Sequence, residues 1–177
     1  YDAPKREFLI VWASTIAGRF PETLGTAERE LNHRLYATRT RDFVTFTPTK
    51  LFYDPGFLVI DGAIFRRGGE YVMTVKNETL KPPAKHVFVT KAKSLDGPWS
   101  KAGPSITGTE WAEGPTPIEI NGQWYVWFDR YRKHSYGVIR SRDLEHWEDL
   151  SEQLKLPAGI RHGTVFRAPE KVVARLR

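Results

Sequence analysis

The chain has 177 residues, of which 40% are apolar and 13% aromatic, and its 27 Lys and Arg against 21 Asp and Glu give a formal charge of +6. This is the length of one domain with enough apolar side chains for a core, which excludes a disordered or fibrous chain. The longest apolar run, residues 8–13, is far shorter than the ~20 residues that a membrane-spanning helix needs. The sequence therefore predicts a globular domain with no membrane partner.

Cysteine usage and charge distribution narrow the class further. The chain contains no Cys, which excludes disulfides, thiolate nucleophiles and Cys-ligated zinc. This composition fits a reducing cytosol and a bacterial secretory compartment equally well; we expect an extracellular or periplasmic protein, although no signal peptide is visible in this sequence. Basic residues alternate with acids, as in residues 142–145, which indicates a solvated surface rather than a nucleic-acid partner.

One turn phrase recurs along the chain. A small polar residue, an acid and an aromatic residue follow one another in residues 40–46 and 141–147, with a looser copy in 94–99. Strand-like alternation precedes each copy, at residues 34–38, 86–90 and 136–140. A repeating unit of strands and acid turns is therefore predicted.

Hairpin signals complete the repeating unit. Gly68-Gly69 precedes the predicted strand 70–74, and Asn121-Gly122 precedes the aromatic strand 123–128. Four antiparallel strands repeating about every 50 residues describe a blade of a β-propeller, whose sheets stand radially around an axis. The fold class predicted is all-β, with an irregular β-sandwich as the alternative.

The starts of the innermost strands carry the candidate site. Residues 60–65, 112–118 and 161–166 occupy the same place in three successive units, and each holds an ionisable residue beside a glycine: Asp61, Glu113 and His162. Because innermost strands line the axis of a propeller, equivalent positions converge at the mouth of its channel. We therefore expect these three side chains to face one another.

The predicted propeller is partial. Residues 1–177 read as a single partial β-propeller domain of about three blades, in which the first unit lacks its opening strand and the last has only its first strand before a short helical tail after Pro169. We expect the first blade and the start of the second to be absent from this chain. We expect missing N-terminal blades or a second chain to complete the ring.

The residue types around the candidate site suit a carbohydrate partner. Apolar sugar faces stack on aromatic side chains, here Trp111, Trp127, Phe128 and Tyr131, while carboxylates bind hydroxyls. Glycoside hydrolysis also needs a carboxylic acid that protonates the leaving oxygen and a carboxylate that activates water. Glu113 lies between Trp111 and Pro115, a context that we expect to raise its pKa, as an acid at neutral pH requires.

In residues 59–61, 111–116 and 161–165 the chain closely resembles glycoside hydrolase family 43, five-bladed propellers that act on arabinose- and xylose-containing polysaccharides. The resemblance implies an inverting arabinofuranosidase- or xylosidase-like enzyme with Glu113 as general acid. By the same resemblance, Asp61 is the aspartate that raises the pKa of the acid, and His162 is the axial histidine that orients the site or helps to hold a buried ion such as calcium. No cofactor is required, and no residue is assigned as a metal ligand.

One departure from the family concerns the general base. In the family it is an aspartate that opens the first blade, and no residue of this chain occupies that place. By repeat arithmetic it would lie about 40 residues before Tyr1, so we expect the base to come from outside this chain and the isolated chain to be inactive. The alternative function is a non-catalytic carbohydrate-binding or assembly module on an incomplete propeller.

Further candidates for substrate binding have two interpretations each. Arg140 fits a sugar-contacting arginine or a structural ion pair. Asp129 lies next to an aromatic strand end and either lines the pocket or bonds a turn, with Tyr131 and Trp111 beside it as aromatic contacts. His33, on a loop of the first unit, either reaches the substrate or caps the loop.

Overall fold

The computed structural model describes residues 1–157 and 159–176, and it is built from three antiparallel sheets. The first sheet contains β1 (Phe8–Ser14), β2 (Arg34–Thr40) and β3 (Lys50–Tyr53). The second contains β4 (Val59–Arg67), β5 (Glu70–Asn77) and β6 (Val87–Ala92). The third contains β7 (Glu113–Ile120), β8 (Gln123–Arg130), β9 (Ser135–Ser141) and β10 (Glu148–Asp149), and sequence neighbours are hydrogen-bonded in every sheet. The short helices are α1 (Pro21–Leu24) and α2 (Glu170–Val173), with 3-10 turns at Ser151–Gln153 and Ala174–Leu176.

The two predicted hairpins are confirmed. The β4–β5 ladder closes at the pair Arg67–Glu70 around Gly68, whose φ is 56°. The β7–β8 hairpin turns at Asn121 and Gly122 with φ of 52° and 74°. Positive φ at both central residues matches the twist of the flanking strands, which is why Asn-Gly is favoured there.

Two apolar cores lie between the three sheets, one at each contact between neighbouring sheets. Leu35, Val59 and Met73 are buried between the first and second sheets, and Val72, Val126 and Phe128 are buried between the second and third. Sheets that pack face to face in chain order are the arrangement of successive propeller blades, whereas a sandwich would bury one shared core.

One aromatic residue expected at the pocket wall lies in the core, and another packs within its own blade. Phe128 is 1% exposed inside the second core. Trp127 stacks on Tyr136 with ring centroids 6.5 Å apart. The central strand of a blade has neighbours on both faces, so its aromatic side chains are used for packing and the prediction of Phe128 as a sugar contact was wrong.

The segment 161–166 also differs from the prediction, since it belongs to no sheet. Among the described residues no strand pairs with it. Side-chain donors hold it instead: Tyr136 Oη and Thr116 Oγ1 donate to the carbonyl oxygen of Gly163 at 2.7 and 3.1 Å. The predicted helical tail after Pro169 is present as α2. Within the described residues, no helix combines the length and apolar character that a membrane crossing requires.

The tightest backbone approach in the third sheet gives a stability prediction. A Cβ on Gly137 would lie 2.7 Å from two ring atoms of Phe128, which cannot move because the ring is enclosed in the core. We expect Gly137→Ala to lower the free energy of unfolding by about 1 to 3 kcal/mol, the usual cost of overpacking. The measurement is urea denaturation of the full-length protein.

Gly69→Ala is the matched control, because a Cβ there meets no atom within 4 Å. Its unfolding free energy should stay within about 0.5 kcal/mol of the wild type. Equal losses in both variants would show that the contact with Phe128 has no effect on stability.

Candidate active site

Each innermost segment begins with a backbone irregularity. In β4 the pairing with β5 shifts between Ile60 and Ala63, and Asp61 has a φ of 53°. In β7 the pairing with β8 shifts between Glu113 and Thr116, and Gly114 has a φ of 59°. Such bulges bend a strand and re-aim its side chains, and they are common beside active sites.

These bulges correct the predicted equivalence of the site residues by one position. Ile60 and Glu113 are the last paired residues before the bulge, so Gly114, rather than Glu113, occupies in β7 the place of Asp61 in β4. His162, with a φ of 45°, has the same backbone conformation in the third segment. The offset lets Asp61 Oδ2 accept a hydrogen bond from the backbone N–H of Gly114 at 2.9 Å.

The structure brings Glu113 and His162 together. Glu113 Oε1 lies 2.9 Å from His162 Nε2 and 3.3 Å from Arg161 Nη2. On the other side, Lys76 Nζ donates to Glu113 Oε2 at 2.9 Å. The Glu113 carboxylate is thus held between Lys76 of the second blade and the guanidinium and imidazole groups of the segment after β10.

Asp129 lies beside this carboxylate and is fully buried. It is the cross-strand partner of Glu113 in the β7–β8 pair. Its Oδ2 accepts a 2.7 Å hydrogen bond from Arg161 Nε and lies 3.8 Å from His162 Nε2. Asp129 thus belongs to the group of side chains around Glu113 and bonds Arg161, and its contact with a substrate stays a prediction.

The expected direction of the Glu113 pKa was wrong. Burial raises the pKa of this carboxyl, but the hydrogen bonds and charges of Lys76 and His162 outweigh burial and lower it below its ordinary value. The pKa of Lys76 is raised because, although burial lowers it, the carboxylates of Glu78 and Glu113 favour the ammonium form. Both shifts indicate a charged pair, in which Glu113 is a carboxylate at neutral pH.

Lys76 connects Glu113 to a second buried lysine, Lys85. Neither lysine was predicted from the sequence as a site residue. Lys76 Nζ lies 2.7 Å from Glu78 Oε2, and Lys85 Nζ donates to Glu78 Oε1 at 2.5 Å. The side chains of both lysines are only 2% exposed. The repeat contained the signal: Lys76 pairs with Ile60 as Asp129 pairs with Glu113, so both charges stand at one position of the repeat.

The predicted aromatic contacts are partly occupied by other side chains. The guanidinium carbon of Arg132 lies 3.7 Å from the ring centroid of Trp111, whose ring is 6.0 Å from that of Tyr131. The Tyr131 ring in turn covers the ammonium group of Lys76 at 4.7 Å. A sugar can stack on the Trp111 face that Arg132 covers only after this guanidinium moves.

The structure separates the two remaining candidates. His33 is half-buried, and burial lowers its pKa below the ordinary value, although the charges of Glu78 and Asp61 oppose that effect. Arg140 lies at the outer end of the third sheet, where its Nη2 is 2.5 Å from Glu148 Oε2. Of the two interpretations of Arg140, the structure shows the ion pair.

A divalent cation does not fit the present arrangement. One ligand atom from each of Glu113, Asp129 and His162 lies within 4.8 Å of the others, which is the spacing of metal ligands. However, Arg161 already bonds the carboxylates of both acids, and Lys76 holds the second oxygen of Glu113. These cations supply the charge that a metal ion would otherwise supply.

The family model described as a probable glycosyl hydrolase domain, related to glycoside hydrolase family 43, matches residues 1–171. The chain belongs to this family. The resemblance to glycoside hydrolase family 43 that the sequence shows is thereby confirmed. An α-L-arabinofuranosidase of Bifidobacterium longum subsp. longum is 32% identical over 98 residues, which cover 46% of this chain and 9% of the relative.

Solved structures confirm the fold of this family 43-related domain. A thermostable family-43 glycoside hydrolase superposes with a TM-score of 0.62 at 14% identity, over 90% of this chain and 57% of that chain. A family 117 glycoside hydrolase of the marine bacterium Zobellia galactanivorans gives 0.59 at 18% identity, over 81% and 51%. The predicted all-β propeller class is therefore confirmed, and the domain spans about half the length of these structures.

The close approach of Gly114 to His162 gives a second prediction. A Cβ on Gly114 would lie 2.8 Å from His162 Nδ1, so in Gly114→Ala the imidazole must turn away from Glu113. Gly108→Ala is the matched control, because Gly108 has a similar φ of 61° and open space around it.

Both variants should lose about 1 to 2 kcal/mol of unfolding free energy through the positive φ. Only Gly114→Ala should change the NMR signals of the His162 ring. Unchanged ring signals in that variant would contradict the contact.

Proposed function

We propose that this domain forms the C-terminal part of an inverting glycosidase that acts on arabinose- or xylose-containing plant polysaccharides or oligosaccharides, with Glu113 as its general acid. The observation that supports the proposal is the placement of Glu113. Its carboxyl group stands at the bulge of an innermost strand, hydrogen-bonded to His162 and beside the buried Asp129, in a chain of a glycosyl hydrolase family. Asp61 supports this segment through the N–H of Gly114.

The proposed reaction consists of one displacement. The Glu113 carboxyl proton moves to the glycosidic oxygen as the bond between that oxygen and the anomeric carbon breaks. Water attacks the anomeric carbon from the opposite face, and its proton goes to a carboxylate base that lies outside the described residues. Proton transfer and water suffice for this chemistry, so the proposal needs no cofactor.

The ionisation of Glu113 sets the pH range of the proposed activity. A general acid works in its protonated form, and the cations around Glu113 lower its pKa. The protonated fraction therefore rises as the pH falls. We propose a glycosidase with an acidic optimum, whose basic limb reports Glu113.

Further propeller blades are the proposed partner of the domain, and an extracellular or periplasmic compartment is its proposed location. Tyr1, Phe43, Val44 and Phe46 of the first sheet region are 70%, 56%, 81% and 49% exposed. Packing of another blade would remove such apolar surface from water. The same blades would supply the general base.

A non-catalytic carbohydrate-binding module is the second candidate, and one observation favours it. Both oxygens of Glu113 have cationic or imidazole partners, an arrangement that a purely structural carboxylate would also show. Such a module would bind oligosaccharides without releasing sugar. Loss of the Glu113 charge would then have no effect on turnover, because the module has none.

The third prediction tests Glu113 as the acid in the full-length protein. Glu113→Gln should lower turnover of unactivated glycosides by about 10² to 10⁴, the usual contribution of acid catalysis. Aryl glycosides with good leaving groups depart without a proton, so their loss should be much smaller. The measurement is kcat against the pKa of the leaving group.

Glu119→Gln is the control, because Glu119 lies on the same strand with an exposed side chain. It should leave turnover unchanged for every leaving group. An equal loss across all leaving groups in Glu113→Gln would contradict the assignment, and oligosaccharide binding without turnover in the wild type would support the binding module.

A further inference from the structure

We propose that Lys76 is a positioning residue of the glycosidase site, which fixes the Glu113 carboxyl group and controls when it carries its proton. This inference rests on the proposed function, because it assigns the residue on which the proposed acid depends. According to this inference, a buried lysine on β5 controls the protonation of Glu113 in addition to the neighbouring Asp61.

The contacts of Lys76 leave its ammonium group few alternatives. Its side chain is 2% exposed, and Nζ lies 2.9 Å from Glu113 Oε2 and 2.7 Å from Glu78 Oε2. The ring of Tyr131 closes a further side at 4.7 Å. An ammonium group enclosed in this way holds the carboxylate of Glu113 in one orientation, because any other orientation leaves a buried cation without one of its partners.

Lys76 is also held in place by a second buried lysine, through the carboxylate that the two share. Glu78 is shared between Lys76 and Lys85, and Lys85 also donates to Glu28 Oε2 at 3.3 Å. Charges therefore alternate from Glu28 through the two lysines to Glu113. This chain fixes Lys76 on the second blade, so that it meets Glu113 on the third blade at a defined position.

The position of Lys76 in the repeat points to a role in the site. In the third blade the equivalent residue is Asp129, which is fully buried and bonds Arg161 at 2.7 Å. The central strands of the two blades thus each place one buried charge beside Glu113, a cation from β5 and an anion from β8. A residue with a role in packing alone would be apolar at this depth.

The charge of Lys76 acts on the proton of Glu113 together with every other charged group at this carboxyl. The cationic and imidazole groups that contact the Glu113 carboxylate are Lys76, Arg161 and His162. The acids and the phenol around them are Asp61, Glu78, Asp129 and Tyr131. Of the cations and imidazole, Lys76 is the most buried, so its charge is screened least by water.

During the proposed reaction Lys76 stabilises the carboxylate that remains after Glu113 has given its proton to the leaving oxygen. The same charge disfavours the protonated form before the reaction. Removal of the charge should therefore raise the pKa of Glu113 and move the basic limb of kcat/KM to higher pH, while the loss of orientation lowers kcat.

The test compares three variants of the full-length protein. Lys76→Met removes the charge, Lys76→Arg keeps it, and Lys93→Met is the control, because Lys93 forms an exposed ion pair with Glu70. We expect Lys76→Met to lower kcat by about 10²-fold on glycosides with poor leaving groups, a typical cost of misplacing a reacting group. Its basic limb should move to higher pH, whereas Lys76→Arg and Lys93→Met should keep the limb of the wild type.

A second measurement separates this inference from the proposed function and from effects on folding. Titration of the Glu113 side-chain carboxyl by ¹³C NMR needs no turnover, and Lys76→Gln provides a neutral polar substitute if Lys76→Met does not fold. A higher carboxyl pKa in either neutral variant supports the role of Lys76 even if the wild type cleaves no glycoside. The inference is overturned by an unchanged carboxyl pKa in the neutral variants, or by equal limb shifts in Lys76→Met and Lys76→Arg.

Discussion

The buried ion pair between Lys76 and Glu113 joins the second and third blades, and the rest of the site is arranged around it. Removing two charges from water costs several kcal/mol per ion, which their attraction offsets only in a suitable geometry with further hydrogen bonds. Glu78 supplies that support for the lysine, and His162 and Arg161 supply it for the glutamate. The two blades can therefore pack only in the register that brings these groups together.

Most of the fold could be predicted from the sequence because its signals are local. Strand alternation and the Asn-Gly and Gly-Gly turns each depend on a few neighbouring residues, and the structure has strands and hairpins at those places. The bulges at Asp61 and Gly114 could not be predicted, because one extra residue in a strand leaves the repeat spacing almost unchanged. Spacing alone therefore aligned Asp61 with Glu113, one residue from its structural counterpart.

The chemistry of the site was harder to predict than its location. A lysine near the end of a strand normally reads as a solvated residue, so the burial of Lys76 was not expected. The repeat spacing from Lys76 to Asp129 equals that from Asp61 to Gly114, and this comparison could have identified Lys76. The pKa of Glu113 was misjudged for the same reason, since the aromatic context was visible in the sequence and the cation was not.

Half of the site depends on a segment that belongs to no strand. Arg161 and His162 reach Glu113 and Asp129 from this segment, and Thr116, Tyr136 and Arg167 bind it to the third blade through hydrogen bonds to backbone carbonyls of Gly163 and Glu119. Backbone held by a few side-chain contacts opens at lower free energy than backbone in a ladder. The cations from this segment can therefore leave Glu113 while Lys76, fixed inside the second blade, stays in place. Such an opening would free Glu113 Oε1 without releasing Oε2, and Lys76 would remain the cationic partner of this carboxylate.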